Sequence, residues 1–232
     1  METTEQIPIQ RLQAGKVEAV NDTLVVEQNV AIELDDEILF RTTCSPGELG
    51  EWVLGYLFSE GLIASPEDVD AIHNVDGAFS VRLVRRAHPE PPPRVTSNLV
   101  VGTDRLLAAA GEIVGRARVF EETGGTHAMA IANQEEILTL VEDVSRTCAL
   151  EKAIGEALLK GIDFAQSFAF LSSRVPSRMI AKLARCGVPI VAAVSAPTID
   201  AVRLAEELNV SLCGFVRGER LNVYTHSWRV DL

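Results

Sequence analysis

The chain has few cysteines, and none is spaced as a metal-binding or redox pair. Cys44, Cys148, Cys186 and Cys213 are scattered over 232 residues. Neither Cys-x-x-Cys nor His-x-x-x-His spacing occurs, so no tightly bound protein metal is expected. Long apolar runs are also missing; none approaches the roughly 20 residues that cross a bilayer, which argues against a membrane partner. Met1 to Gln13 is polar and acidic and lacks the apolar centre of a secretory signal. Scattered cysteines without a signal point to free thiols in a reducing compartment, so the expected location is cytoplasmic. Basic runs and basic–aromatic interleaving are absent too, which excludes a general nucleic-acid binder.

What is present is an ordinary globular composition, 47% apolar and 5% aromatic, in a chain long enough to bury a substantial core. Its net charge of −12 is unevenly placed. Residues 1–90 hold 6 Lys/Arg against 17 Asp/Glu, whereas residues 91–232 hold 15 against 16. Acidic excess serves solubility. The near-neutral C-terminal part leaves its arginines free to meet an anionic ligand.

The pattern divides the chain into an N-terminal α+β lobe over 1–90, a linker over 91–103 and an α/β domain over 104–232, with 1–15 expected as a loose arm. In the lobe, Val17–Val26 and Val30–Thr42 alternate as two strands turning around Gln28-Asn29. A helix is expected from Ser45 as N-cap, with Pro46 at the first position and Glu48 completing a capping box, to a stop at Gly61. Val69–Asn74 and Ala78–Arg85 pair around Asp76-Gly77. The run His88-Pro-Glu-Pro-Pro-Pro-Arg94 can continue neither helix nor ladder and marks the boundary. It should be protease-sensitive, and cleavage there should release a folded C-terminal fragment. Beyond it, helices near 104–114, 146–160, 176–186 and 198–208 alternate with strands near 127–132, 137–141, 167–171, 189–194, 211–216 and 222–225. Strands as apolar as Phe-Ala-Phe-Leu and Ile-Val-Ala-Ala-Val imply a helix-covered parallel sheet, whose ligands sit at the strands' carboxyl ends.

That rule gathers Ser172-Ser173-Arg174, Ser195-Ala-Pro-Thr198 and Arg217-Gly218-Glu219-Arg220 on one rim. Ser177 and Thr198 are read as helix caps. Arg174, Arg217 and Arg220 suit either a phosphate-bearing ligand, which guanidinium forks grip bidentately, or surface ion pairs. Thr123-Gly124-Gly125-Thr126 is a weak candidate for a backbone anion nest. His127 reads as a base, a ligand contact or a structural hydrogen-bonder. Of Glu142 and Asp143, adjacent on a strand, at most one faces a site. Cys186 and Cys213 read as buried packing. Cys44 precedes a helix start, where the dipole lowers a thiol pKa, and Cys148 lies in the first turn of the 146–160 helix; each is either reactive or packed.

In order along the chain come Thr43-Cys-Ser-Pro-Gly-Glu-Leu, Gly55-Tyr-Leu-Phe-Ser-Glu-Gly-Leu-Ile63, Thr123-Gly-Gly-Thr-His-Ala128 and Glu142-Asp-Val-Ser-Arg146. Then follow Ala149-Leu-Glu-Lys152, Ser172-Ser-Arg174, Ala192-Ala-Val-Ser-Ala-Pro-Thr198 and Gly214 to Thr225. Together these blocks resemble the FdhD/NarQ family of formate dehydrogenase accessory proteins. The resemblance implies an α+β lobe joined to a cytidine-deaminase-like three-layer α/β domain without the deaminase zinc motif, in a homodimer. It implies binding of the molybdenum cofactor, as the bis-molybdopterin guanine dinucleotide, on the segment matching Phe215, Val216, Arg217, Gly218, Glu219 and Arg220. It further implies transfer of persulfide sulfur from a cysteine desulfurase to that cofactor, on behalf of formate dehydrogenase.

Three positions depart from the family pattern. The interval Arg94–Gly102, where the family places a sulfur-bearing Cys-Gly-x-Cys, contains no cysteine. The usual Gly-Arg-His-Asn has become Ser145-Arg146-Thr147-Cys148. Val175 replaces the usual alanine after Ser-Ser-Arg. Since only a thiolate holds a persulfide, a carrier that binds the cofactor without sulfur chemistry stands beside the sulfurtransferase expectation.

Overall fold

The computed structural model describes residues 2–35 and 37–231. Strands β1 (Thr4–Gln13) and β2 (Lys16–Val25) form an antiparallel ribbon joined by Ala14-Gly15, both at positive φ. Residues 4–13 are therefore a strand rather than the expected loose arm, because the two-residue turn hands the chain straight into a ten-residue ladder. A four-stranded sheet follows: β3 (Gln28–Leu34), β4 (Glu37–Cys44), β5 (Val69–Val75) and β6 (Ala78–Leu83), in the order β4-β3-β6-β5. The single strand expected over 30–42 is thus two, broken after Leu34, where Asp35 takes φ 55°. The turn at Asp76-Gly77 occurs as expected, with φ of 51° and 87°.

Helix α1 (Leu49–Glu60) ends on Gly61 at φ 78°, whose N–H donates back to Leu57 and Phe58. Its start departs from expectation. Glu48 is the residue at the N-cap and makes no side-chain cap; the Ser45 hydroxyl instead accepts from the Val144 N–H at 3.1 Å. A long-range partner has taken the expected capping group.

The C-terminal domain begins with β7 (Val101–Gly102) and α2 (Thr103–Arg116), followed by a short α3 (Arg118–Thr123) not foreseen from the pattern. There follow β8 (His127–Ala132), β9 (Ile137–Asp143), α4 (Arg146–Leu159), β10 (Phe168–Leu171) and α5 (Ser177–Cys186). Next come β11 (Ile190–Ala193), α6 (Ile199–Glu207), β12 (Ser211–Arg217) and β13 (Arg220–Val223). A last strand, β14 (Val230–Asp231), pairs with β7. The large sheet has the order β13-β12-β11-β10-β8-β9; β10, β11 and β12 are parallel, and the flanking strands antiparallel. Alternate residues bury on opposite faces. Met129, Ile131, Ala169, Leu171, Val191 and Leu212 share a core with α4, α5 and α6. Ala128, Ala130, Phe168, Phe170 and Ala192 share the other with α2. The domain is therefore a three-layer α/β sandwich.

The lobe rests on this domain through α1 against α4. Two glycines set the distance: a Cβ on Gly55 would lie 1.7 Å from the Glu151 carbonyl oxygen, and one on Gly155 would lie 1.9 Å from that of Glu51. Around this backbone contact run buried ion pairs. Lys182 meets Glu151 at 2.9 Å and Glu60 at 2.7 Å, and the Trp52 indole N–H donates to Glu151 at 2.9 Å. The linker is anchored after its prolines: the Val95 N–H donates to the Leu208 carbonyl, the Asn209 side-chain amide donates to the Val95 carbonyl, and the buried Arg229 guanidinium donates to the Ser97 carbonyl.

Limited trypsin digestion is expected to cut first at Arg85, Arg86 or Arg94, the exposed basic residues around the proline run. With α1 seated on α4, the nicked halves should co-elute on size exclusion and separate only in denaturant. First cuts within 120–220 would contradict this organisation.

Candidate functional site

The strand register brings the predicted polar groups to one rim. Leu171 pairs with Ala193 on one side and Met129 on the other, and His127 pairs with Asp143. The ends of β10, β11, β12 and β9 and the start of β8 therefore lie together. β12 runs four residues past Cys213, the partner of Ala192, and returns as β13 through Gly218 at φ 58°, so Arg217 and Arg220 face each other across the hairpin.

Phe215 is the distortion that shapes this end. It sits in the left-handed region at φ 55°, within a register shift between Gly214 and Arg217. Gly214 has no room for a side chain: a Cβ would meet Pro197, the Ser195 carbonyl oxygen and Tyr224 at 3.0 Å each. Such strain in a non-glycine residue costs of order 1–3 kcal/mol and persists only where the surroundings hold it, commonly at functional sites. Its effect here is to offer a half-buried ring to two cations. The Arg220 guanidinium carbon lies 4.6 Å from the ring centroid and that of Arg217 lies 5.8 Å away. Val216 is buried in the α2-side core and anchors the strand. Gly218 and Glu219 form the exposed tip.

Among the described residues, Arg146, Arg174, Arg217 and Arg220 make no ion pair. The nearby carboxylates are occupied elsewhere. Glu142 accepts from the Val119 and Phe120 N–H groups at 3.0 and 2.7 Å and from the Thr126 hydroxyl at 2.9 Å, so it caps α3. Asp143 is fully buried, paired with Lys152 at 2.7 Å and accepting from the Ser45 and Ser145 N–H groups. Neither is free to act as an acid or base. The Gly-Gly nest is likewise consumed: Gly124 N–H closes α3 on Phe120, and Gly125 N–H donates to the Thr123 hydroxyl. Thr198 caps α6 as expected, while Ser177 makes no cap and lies inside α5. The Ser172 hydroxyl holds the start of β8 by accepting from Ala128 N–H at 2.9 Å.

His127 is half-buried at the rim. Burial, and then the Arg146 charge, holds its imidazole below the usual histidine range, so it stands neutral at neutral pH. The rim thus presents unpaired guanidinium groups, a neutral imidazole and an aromatic face, which suits an anion carrying a planar ring system.

All four cysteines are buried. Burial pushes Cys186 and Cys213 up to about 12, as suits packed thiols. Cys44 follows the packed alternative rather than the reactive one. Its hydrogen bond to Cys148, then burial and Asp143, raise its pKa, and α1 begins too late to lower it. Cys148 is shifted the other way, lowered chiefly by that same bond. Sequence reasoning missed this contact, the Phe215 platform and the Asp143–Lys152 pair. The one available signal was the adjacent charges of Glu151 and Lys152 between the small and apolar residues of α4.

Fold and rim define an α/β protein whose parallel strand ends collect unpaired arginines and whose α+β lobe is clipped to a helical face. Comparison with known proteins is specific. The chain matches the FdhD/NarQ family pattern over residues 25–91 and 82–231. It is 34% identical to a sulfur carrier protein FdhD of Methanothermobacter thermautotrophicus, over 91% of this chain and 92% of that protein. It is 32% identical to one of Shouchella clausii, over 100% and 98% respectively. The crystal structure of a candidate formate dehydrogenase accessory protein from Desulfotalea psychrophila superposes with a TM-score of 0.86 at 23% identity, covering 99% of this chain and 100% of that one, and so supports the fold. The chain belongs to the FdhD/NarQ family. Among the described residues no helix is long and apolar enough to cross a membrane.

Proposed function

We propose that this protein binds the molybdenum cofactor, as the bis-molybdopterin guanine dinucleotide, at the rim formed by Phe215–Arg220 with Arg174 and Arg146, and hands it to formate dehydrogenase. The observation that carries this reading is the set of rim arginines without ion-pair partners, two of them stacked over a strained Phe215. The phosphates of the cargo meet the guanidinium forks, and a purine shares the aromatic face. His127, neutral when the site is empty, gains a proton more readily beside bound phosphate. By family resemblance the working form is a homodimer.

The same reading assigns sulfur transfer from a cysteine desulfurase a lesser part. A persulfide carrier needs a thiolate that a partner protein can reach, and every cysteine of this chain is buried. A surviving sulfurtransferase is favoured by the relatives, which are named sulfur carrier proteins, and by the lowered pKa of Cys148. The buried thiols favour a carrier.

GDP serves as a fragment of the cargo. Calorimetric titration is expected to show binding to the wild type and a loss of roughly 1.5–3 kcal/mol, about ten- to a hundredfold in affinity, for Arg220→Ala. Equal affinities, or no heat from either protein, would remove the assignment.

A further inference from the structure

The buried thiols of Cys44 and Cys148 have no part in cofactor binding, yet they meet across the seam between lobe and domain. Cys44 is the last residue of β4, and Cys148 lies in the first turn of α4. The Cys148 sulfur sits 3.9 Å from the Thr42 hydroxyl and 4.0 Å from the Thr43 carbonyl, so it rests on the end of the strand that carries Cys44. Both side chains belong to the same buried cluster, where Cys148 is the C-terminal domain's contribution to a core otherwise built by the lobe. The elements that hold them are fixed nearby: Ser45 N–H donates to Asp143, and the Ser45 carbonyl accepts from Lys152 at 2.8 Å.

We propose that Cys44 and Cys148 form a two-electron redox site that closes to an intramolecular disulfide on reaction with a small hydroperoxide, locking the lobe to α4 beside the arginine rim. Burial selects the oxidant, since a protein thiol or bulky disulfide does not reach a sulfur that is 0–1% exposed. The two sulfurs have distinct roles. Cys148, in the first turn of α4 and with its pKa lowered, is assigned as the attacking sulfur; Cys44, with its pKa raised, keeps its proton.

In the first step the Cys148 sulfur attacks one peroxide oxygen. An S–O bond forms, the O–O bond breaks, and the leaving hydroxide takes the Cys148 proton as water, giving a sulfenic acid. In the second, the Cys44 sulfur attacks the Cys148 sulfur. The S–S bond forms, the S–O bond breaks, and hydroxide leaves with the Cys44 proton as a second water. Overall two thiols lose two electrons and two protons, and the peroxide is reduced to two waters.

The test treats the native full-length chain with hydrogen peroxide, then alkylates it in denaturant for intact-mass and peptide analysis. The expected product has lost two hydrogens, takes up alkylating reagent on two of its four cysteines and yields a Cys44–Cys148 cross-linked peptide without intermolecular disulfide. In Cys44→Ser the sulfenic acid has no resolving thiol, so dimedone added together with the denaturant should label Cys148. In Cys148→Ser no disulfide should form and Cys44 should stay reduced. Four alkylated cysteines after oxidation, a disulfide between any other pair, or dimedone label on Cys44 in the wild type would each overturn the proposal. GDP binding by the reduced protein is a separate readout, so loss of one assignment leaves the other standing.

Discussion

Replacing Gly155 by alanine should unfold the protein at a much lower denaturant concentration than the wild type, with a loss of about 3 kcal/mol or more. The reason is the crossing of α1 and α4. The added methyl would lie 1.9 Å from the Glu51 carbonyl oxygen and 2.9 Å from its Cα, both backbone atoms that cannot rotate away. The only relief is to separate the helices, which opens the Trp52–Glu151 bond and the Lys182–Glu60 ion pair between lobe and domain. Gly111→Ala is the control. Gly111 lies within α2 with nothing inside 4 Å of a new Cβ, so this change should stabilise by about 0.5–1 kcal/mol. If Gly155→Ala unfolds within about 0.5 kcal/mol of the wild type, the close backbone contact is not what sets the lobe's position.

Lys152→Met should cost a similar amount, about 3–5 kcal/mol, because it strands the Asp143 carboxylate where no water reaches it. The ammonium also supplies the bond to the Ser45 carbonyl, so the end of β4 loses its anchor. The loss should depend on pH in a defined direction. Burial already raises the Asp143 pKa despite Lys152, and removing the lysine raises it further. A carboxyl whose folded pKa lies above its unfolded value binds protons more tightly when folded. Its destabilisation is then complete above the folded pKa and shrinks as pH falls toward the unfolded one. Denaturation of Lys152→Met at pH 8 and pH 5 should therefore show the larger deficit at pH 8, and the double variant Lys152→Met/Asp143→Leu should recover part of it. A deficit that grows on acidification would contradict the burial of that carboxylate.

The C-terminal domain was legible because its strands are short, wholly apolar runs. Phe168–Leu171 and Ile190–Ala193 leave no alternative to burial on both faces, and the strand-end rule then located Arg174, Arg217 and Arg220 on one rim. Strand β2 matches the strand expected over Val17–Val26, but its pairing with β1 was not legible. The turn is Ala14-Gly15 without Asn or Asp, and β1 stays mostly exposed, so no apolar alternation marks it. The capping box at Ser45 failed for a different reason: the local pattern is sound, but the hydroxyl and N–H of Ser45 are engaged by Val144 and Asp143, about a hundred residues away. Glu142 and Asp143 stood out as unusual without revealing that one caps α3 and the other pairs with Lys152. The Phe215 platform was hidden because a positive φ at phenylalanine leaves no trace in composition. The meeting of Cys44 with Cys148 depends on docking the lobe on α4, which no local pattern records.

On the function proposed above, this family member holds its cargo by arginines and offers no thiol that a sulfur donor protein reaches. The most direct test incubates the reduced protein with a cysteine desulfurase and labelled cysteine, then seeks persulfide by mass spectrometry under non-reducing conditions. The account predicts no stable label on Cys44, Cys148, Cys186 or Cys213, all of which are buried. Stoichiometric label on any of them, and above all label on Cys148 that disappears in Cys148→Ser, would contradict it and establish a relocated sulfur-carrying thiol.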